Sequence, residues 1–179
     1  QMPSGLYLDS TTGAITGTPS VSITTAKSIT ITARNGLGSK TATIRIQILQ
    51  KPLTVTYPSK DNVFAVGDEV RLSPIVVGDL LVFSITSGSL PSGLQLIGST
   101  GVILGTTATS TEKKSITITA SNAVGALSAT ITIRVVASIT DYHYSNTEYT
   151  LVNGKKYKLT PTFTGEEPAF SVTNGTLPD

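Results

Sequence analysis

The chain repeats itself. Residues 2–18, MPSGLYLDSTTGAITGT, return at 90–106 as LPSGLQLIGSTGVILGT, an offset of 88. Residues 27–46, KSITITARNGLGSKTATIRI, return at 114–133 as KSITITASNAVGALSATITI, an offset of 87. The one-residue change between the two matches places an insertion in a loop near residues 20–26, where length changes are tolerated. A further set that includes Tyr57, Gly67, Leu72, Phe83, Leu90 and Pro91 recurs 87 residues on as Tyr144, Gly154, Leu159, Phe170, Leu177 and Pro178. A fixed period of this length means an array in which each period carries one small structural unit.

The phase of the repeat sets the expected domain plan. One complete unit spans 53–136, residues 1–50 form the second half of a preceding unit, and 138–179 form the first half of a following one. Both flanking segments break in the same loop, at Met2-Pro3 and at Leu177-Pro178. Half a sandwich cannot bury its own apolar face. Each half is therefore expected to be completed from outside, either by covalently continuous sequence in a longer array or by head-to-tail association of subunits. The second arrangement is a heterologous contact that does not close, and it yields a filament.

Within a unit the residues alternate. In 28–33 and 41–46 Ile falls on one face and Thr or Arg on the other, and 115–120 and 130–135 repeat the pattern. Period two of this kind marks half-buried antiparallel strands. Asn35-Gly36 and Asn122 with Gly125 supply turn chemistry between the members of each pair. Segments 53–57, 70–72, 81–85, 94–96 and 102–104 read as further strands, which brings the count near seven per unit with no helical periodicity. The expected fold class is all-β, with tandem immunoglobulin-like or cadherin-like Greek-key sandwiches. Threonine, at 30 of 179 positions with 20 serines beside it, suits such strands because it is β-branched and presents a neutral polar outer face.

Several function classes are disfavoured at this point. Net charge is +2 without basic runs, so a nucleic-acid interface is not expected, and Lys155, Lys156 and Lys158 read as a solvated strand face. There are no cysteines for disulfides or thiolate metal sites. No apolar run approaches the roughly 20 residues of a membrane-spanning helix, and the opening residues lack a signal-peptide pattern, so an interior piece of a longer precursor is expected.

The run Leu-Pro-Ser-Gly-Leu-x-Leu, then Ser-Thr-Gly-x-Ile, then Gly-Thr, resembles the signature of Ig-like, dystroglycan-type cadherin-like domains. Residues 2–48 and 90–136 both carry it, most closely at Leu8-Asp9 and Gly17-Thr18-Pro19. The second copy departs from it, with Ile97-Gly98 in place of Asp9 and Thr107 in place of Pro19. The resemblance implies tandem sandwiches on secreted or cell-surface proteins, many of them bacterial adhesins, with no catalytic residues and no cofactor. Neither copy carries the paired acidic motifs of calcium-binding cadherins.

The candidate chemistry is sparse. His143, the only histidine, lies near Asp141, but neighbouring strand positions face opposite ways and no nucleophile accompanies it. Asp61, Asp68, Glu69 and Asp79 lack calcium-loop spacing and read as surface charge, as do Glu166 and Glu167. Asn174-Gly175-Thr176 is an N-glycosylation sequon that also reads as a turn, and Thr106, Thr107, Thr109, Ser110 and Thr111 are the candidate O-glycan sites. An isopeptide staple between Lys and Asn would need a buried pair, whereas Lys27, Asn35, Lys114 and Asn122 read as strand-end or turn residues. Four of the six tyrosines crowd the last half-unit, so a ligand patch is expected at Tyr142, Tyr144 and Tyr149. The expected function is a structural repeat of an extracellular filament, stalk or surface fibre, and the alternative is an adhesin or surface-glycan-binding module.

Overall fold

The computed structural model describes residues 1–166 and 168–175. Glu167, the sequon's Thr176 and the repeat matches Leu177 and Pro178 lie outside the described residues.

Nine strands between residues 54 and 136 build one sandwich. They are β5 (Thr54–Thr56), β6 (Asp61–Ala65), β7 (Glu69–Leu72), β8 (Ile75–Val77), β9 (Val82–Ser87), β10 (Leu94–Leu96), β11 (Ile103–Thr106), β12 (Thr111–Asn122) and β13 (Gly125–Val136). One sheet runs β6-β13-β12-β9, the other β10-β11-β7, and β5 pairs with β8 as a separate ribbon. The alternation in β12 and β13 turns Ile116, Ile118, Ala120, Ile131, Ile133 and Val135 inward, each at most 2% exposed. They form one apolar cluster with Phe83 of β9, Ile103 of the opposite sheet, and Val55 and Tyr57. Burial on this scale contributes roughly 2–3 kcal/mol per aliphatic side chain.

The hydroxyls occupy the outer face of the same sheet. Thr86 bonds Thr119 at 2.8 Å, Thr119 bonds Ser128 at 2.8 Å, and Thr117 bonds Thr130 at 3.0 Å. The abundance of threonine thus satisfies polar groups in cross-strand pairs, where each pair adds a few tenths of a kcal/mol to about 1 kcal/mol.

The reading of seven strands missed β6 and β8. β6 pairs in parallel with β13, and it turns Asn62 and Phe64 toward the interior while Val63 is 64% exposed. The inward asparagine is satisfied, its Nδ2 donating to Thr132 O at 3.1 Å and Ser59 O at 3.3 Å. An apolar pattern alone assigns this strand the wrong face. β8 is three β-branched residues, all exposed, with no alternation to read.

Before the sandwich come β1 (Leu6–Leu8), β2 (Ile15–Gly17), β3 (Ile23–Asn35) and β4 (Gly38–Ile48), and after it β14 (Asp141–His143) and β15 (Thr162–Thr164). They pair only as β1-β2, β3-β4 and β14-β15. Each ribbon reproduces the register of its counterpart one period away: Leu6↔Gly17 as Leu94↔Gly105, Ile29↔Ile44 as Ile116↔Ile131, and Asp141↔Thr164 as Thr54↔Val77. The extra residue of the first copy, expected in a loop, lies instead inside a strand. The bulge of β3 between Ile23 and Lys27 holds one residue more than the bulge of β12 between Thr111 and Lys114. A bulge absorbs an insertion by looping out residues without shifting the ladder beyond it.

Candidate functional site: the faces of the flanking segments

His143 Nδ1 lies 3.1 Å from Asp141 Oδ1, which corrects the expectation that the two face apart. Residues two apart on a strand share a face. Both side chains are more than half exposed. Among the described residues no group of three or more His, Asp or Glu is placed to hold a metal ion. The carboxylates considered for calcium have other tasks. Asp61 meets Lys113 Nζ at 2.6 Å and accepts from Thr132 Oγ1 at 2.7 Å, and these contacts hold its carboxyl below the usual range. Asp68 Oδ2 accepts from Ala65 N and Asp79 Oδ2 from Gln50 N, both at 2.8 Å.

Of the hydroxyl candidates, Thr106, Thr109 and Ser110 are exposed. Thr107 is not a glycan site. It is 2% exposed and its Oγ1 donates to Ala65 O at 2.6 Å, locking the β6–β7 turn where the first copy has Pro19. The Oγ1 of Thr111 is also buried. Asn174 is exposed at a turn whose next residue, Gly175, has φ +83°.

The aromatic residues of the last segment gather into a cluster. Tyr142 packs against Tyr144 with ring centroids 6.0 Å apart and against Phe170 at 5.7 Å, and Phe163 meets Phe170 at 5.8 Å. A cavity of about 250 Å³ opens beside Tyr142, Phe163 and Phe170. Hydrogen bonding with Tyr144, then desolvation, raises the Tyr142 phenol. Tyr149 does not join the cluster. Its hydroxyl lies 3.0 Å from Ser145 Oγ and accepts from Asn146 N at 3.2 Å, closing its own loop.

One period earlier, Tyr142, Tyr144 and Phe170 correspond to Val55, Tyr57 and Phe83, which are core residues of the central sandwich. There they are 5%, 8% and 5% exposed; in the last segment the three are 51%, 42% and 57% exposed. The first segment mirrors this. Ile31, Ile44 and Ile46 are only partly buried and Ala33 is exposed, whereas Ile118, Ile131, Ile133 and Ala120 are fully enclosed. The two flanking segments thus display side chains that the central sandwich uses as core.

The junctions follow a common plan as well. Asn122 Nδ2 donates to Gln50 O at 2.7 Å and Asp79 O at 2.8 Å, and Asp79 N donates to Gln50 O at 3.1 Å. The turn residue expected from the sequence is therefore also a clamp on the entering chain, a role its recurrence as Asn35 could have signalled. At the exit, Glu166 N donates to Ala137 O at 3.1 Å, the same bond one period later, and Arg134 Nη2 lies 3.8 Å from Glu166 Oε2.

The family described as "Putative Ig domain" matches residues 1–49 and 52–137. No curated protein matches the chain. Among solved structures, extracellular domains 3–5 of Drosophila OTK are similar at 16% identity with a TM-score of 0.49, covering 74% of this chain and 47% of that one. The titin I-band fragment I67–I69 is similar at 14% identity with a TM-score of 0.49, covering 74% and 59%. A Bacteroides fragilis protein described as a putative alpha-galactosidase is similar at 21% identity with a TM-score of 0.39, covering 48% and 18%. The chain thus spans less than two thirds of each of these structures. The fold family is typically non-enzymatic, and no helix among the described residues is long and apolar enough to cross a membrane. With its repeated register, its seven-stranded pair of facing sheets and the double family match, the chain belongs to the Putative Ig domain family, as tandem immunoglobulin-like sandwiches.

Proposed function

We propose that this chain is a structural repeat of an extracellular filament, stalk or surface fibre, in which 1–50, 53–136 and 138–179 are the second half, the whole and the first half of successive Ig-like units. The observation that carries the reading is the placement of the junctions. Gln50 is clamped by Asn122 beside the start of β13, and Ala137 follows its end. The 12 residues of β13 at about 3.3 Å each separate entry from exit by about 40 Å. Units joined in this way extend along a line, each spacing its neighbours by its own length. Small-angle scattering and negative-stain microscopy of the chain are expected to give a rod with one such length per unit, and a compact globe would overturn the proposal.

A second reading, a glycan-binding or adhesive module, rests on the exposed Tyr142–Tyr144 cluster, since sugars stack on exposed aromatic rings. It predicts binding on a glycan panel that Tyr142→Ala abolishes. Binding to no member of the panel would reject it.

A further inference from the structure

We propose that Asn35-Gly36 is a self-modifying site, at which the side-chain amide of a junction clamp converts to a carboxylate with water as the only reagent. The conversion is independent of what the array does; that it loosens a joint between units rests on the stalk reading.

The glycine is the feature that the fold does not require. Asn35 pairs with Gly38 across a turn made of Gly36 and Leu37, and Asn122 pairs with Gly125 across Ala123 and Val124. The φ of Gly36 lies outside the left-handed region, and a Cβ there would meet nothing within 4 Å. Ala123 shows that the same turn accepts a Cβ inside a complete sandwich. Gly36 is therefore demanded neither by backbone conformation nor by space. What it changes is the chemistry of the residue before it, because a peptide nitrogen bonded to a bare CH2 is the least hindered in reaching the preceding side chain.

The turn favours that reaction. Asn35 Oδ1 accepts from Leu37 N at 2.9 Å and from Gly38 N at 3.1 Å, whereas among the described residues Asn122 Oδ1 accepts from Val124 N alone, at 3.0 Å. Donors on this oxygen stabilise the negative charge it takes up when Cγ is attacked. Among the described residues nothing accepts from Gly36 N, nor from Ala123 N in the complete unit, so the ladder does not hold this nitrogen. The tip stays in water even where the sandwich is complete, since Ala123 and Val124 are both exposed, Val124 at 52%. The site therefore does not depend on what covers the faces of β3 and β4.

The step balances without an oxidant or a cofactor. Gly36 N loses its proton and bonds to Asn35 Cγ, the Cγ–Nδ2 bond breaks, and the amide nitrogen leaves as ammonia with a proton from solvent. Water then opens the resulting cyclic imide at Cγ, restoring the backbone, or at the main-chain carbonyl, rerouting the chain through the side chain. Either way a carboxylate replaces the amide. The complete unit shows what is lost. Asn122, at the same place, donates its amide hydrogens to Gln50 O and Asp79 O. A carboxylate has no hydrogen to donate, and it would face those two carbonyl oxygens. The asparagine followed by alanine keeps its joint, and the one followed by glycine gives its joint a limited lifetime.

Incubating the full chain at physiological pH and temperature, and following positions 35 and 122 by peptide mass, tests the proposal. A carboxylate is expected to accumulate at 35 while 122 stays an amide, and Gly36→Ala is expected to slow position 35 to the rate of position 122. The chain held unfolded in urea serves as the control for the dipeptide alone. An Asn35 that converts there yet stays intact in the folded chain overturns the site, as does a Gly36→Ala chain that converts as fast as wild type. Asn122→Asp carries the consequence into the complete unit, where urea denaturation is expected to show the folding constant of the central sandwich lowered about tenfold. An unchanged midpoint overturns the loosening of the joint, and a chain that is rod-shaped by scattering still upholds the stalk reading in that case.

Discussion

Tyr57 illustrates what single residues do in this sandwich. Its ring belongs to the core and its hydroxyl ends on Gly101 O, so the phenol is held in an apolar setting that pushes its pKa from 10.0 up to about 12. Desolvation disfavours the charged phenolate. Between those two values the unfolded chain has lost the proton and the folded one keeps it. The unfolded state then binds fewer protons, and stability falls as pH rises through the window, by roughly 2–3 kcal/mol in all. Urea denaturation of the chain from about pH 9 to about pH 12 is expected to register this loss. Tyr57→Phe should flatten that part of the profile and cost about 1 kcal/mol at neutral pH, from the lost hydrogen bond. The recurrence of Tyr57 as Tyr144 was readable in the sequence. Its hydrogen-bond partner was not, because Gly101 lies 44 residues away and contributes only a carbonyl.

At the scale of elements, β3–β4 and β12–β13 are nearly the same hairpin in two environments. Ile31 and Ile118 occupy the same place in the same ladder, yet Ile118 is fully buried and Ile31 only partly so. Ile118→Ala leaves a cavity in the apolar cluster that Ile118 shares with Phe83 and Ile103 and is expected to destabilise the central sandwich by about 3 kcal/mol. Ile31→Ala in dilute solution, with that face unpaired, should leave the same transition within about 0.5 kcal/mol of wild type. Equal losses at the two positions, read by chemical denaturation, would mean that both hairpins are already enclosed. Alternation revealed both hairpins and their turns to a reader of the sequence. It missed β6, since a parallel edge strand that points Asn62 inward and Val63 outward inverts the hydrophobic pattern.

For the whole molecule, the entering linker belongs physically to the unit that follows it. Pro52 is buried, Gln50 is held by Asn122 and Asp79, and Lys51 lies over Gly125. A fragment of residues 50–137 is therefore expected to unfold as one cooperative transition. Beginning it at Leu53 removes Gln50, one of the two acceptors of the Asn122 amide and the donor to the Asp79 carboxylate, at a cost of about 2 kcal/mol. Paired urea titrations of the two fragments measure the difference, and identical midpoints would show that the clamp contributes nothing. The repeat marks 53–136 as the expected unit, whereas the contacts of residues 50–52 with it are not readable from the sequence, because polar linker residues carry no periodic pattern.

The sequence by itself determined the period, the strands that alternate and the all-β class, because those depend on the order of apolar and polar residues along a few consecutive positions. Only the tertiary structure decided which identical-looking residues are core and which are surface, that Thr107 is a buried lock, and that Tyr142, Tyr144 and Phe170 stand exposed where Val55, Tyr57 and Phe83 are enclosed. Burial is a property of what lies opposite, across tens of residues of chain, and no local pattern of side chains encodes it.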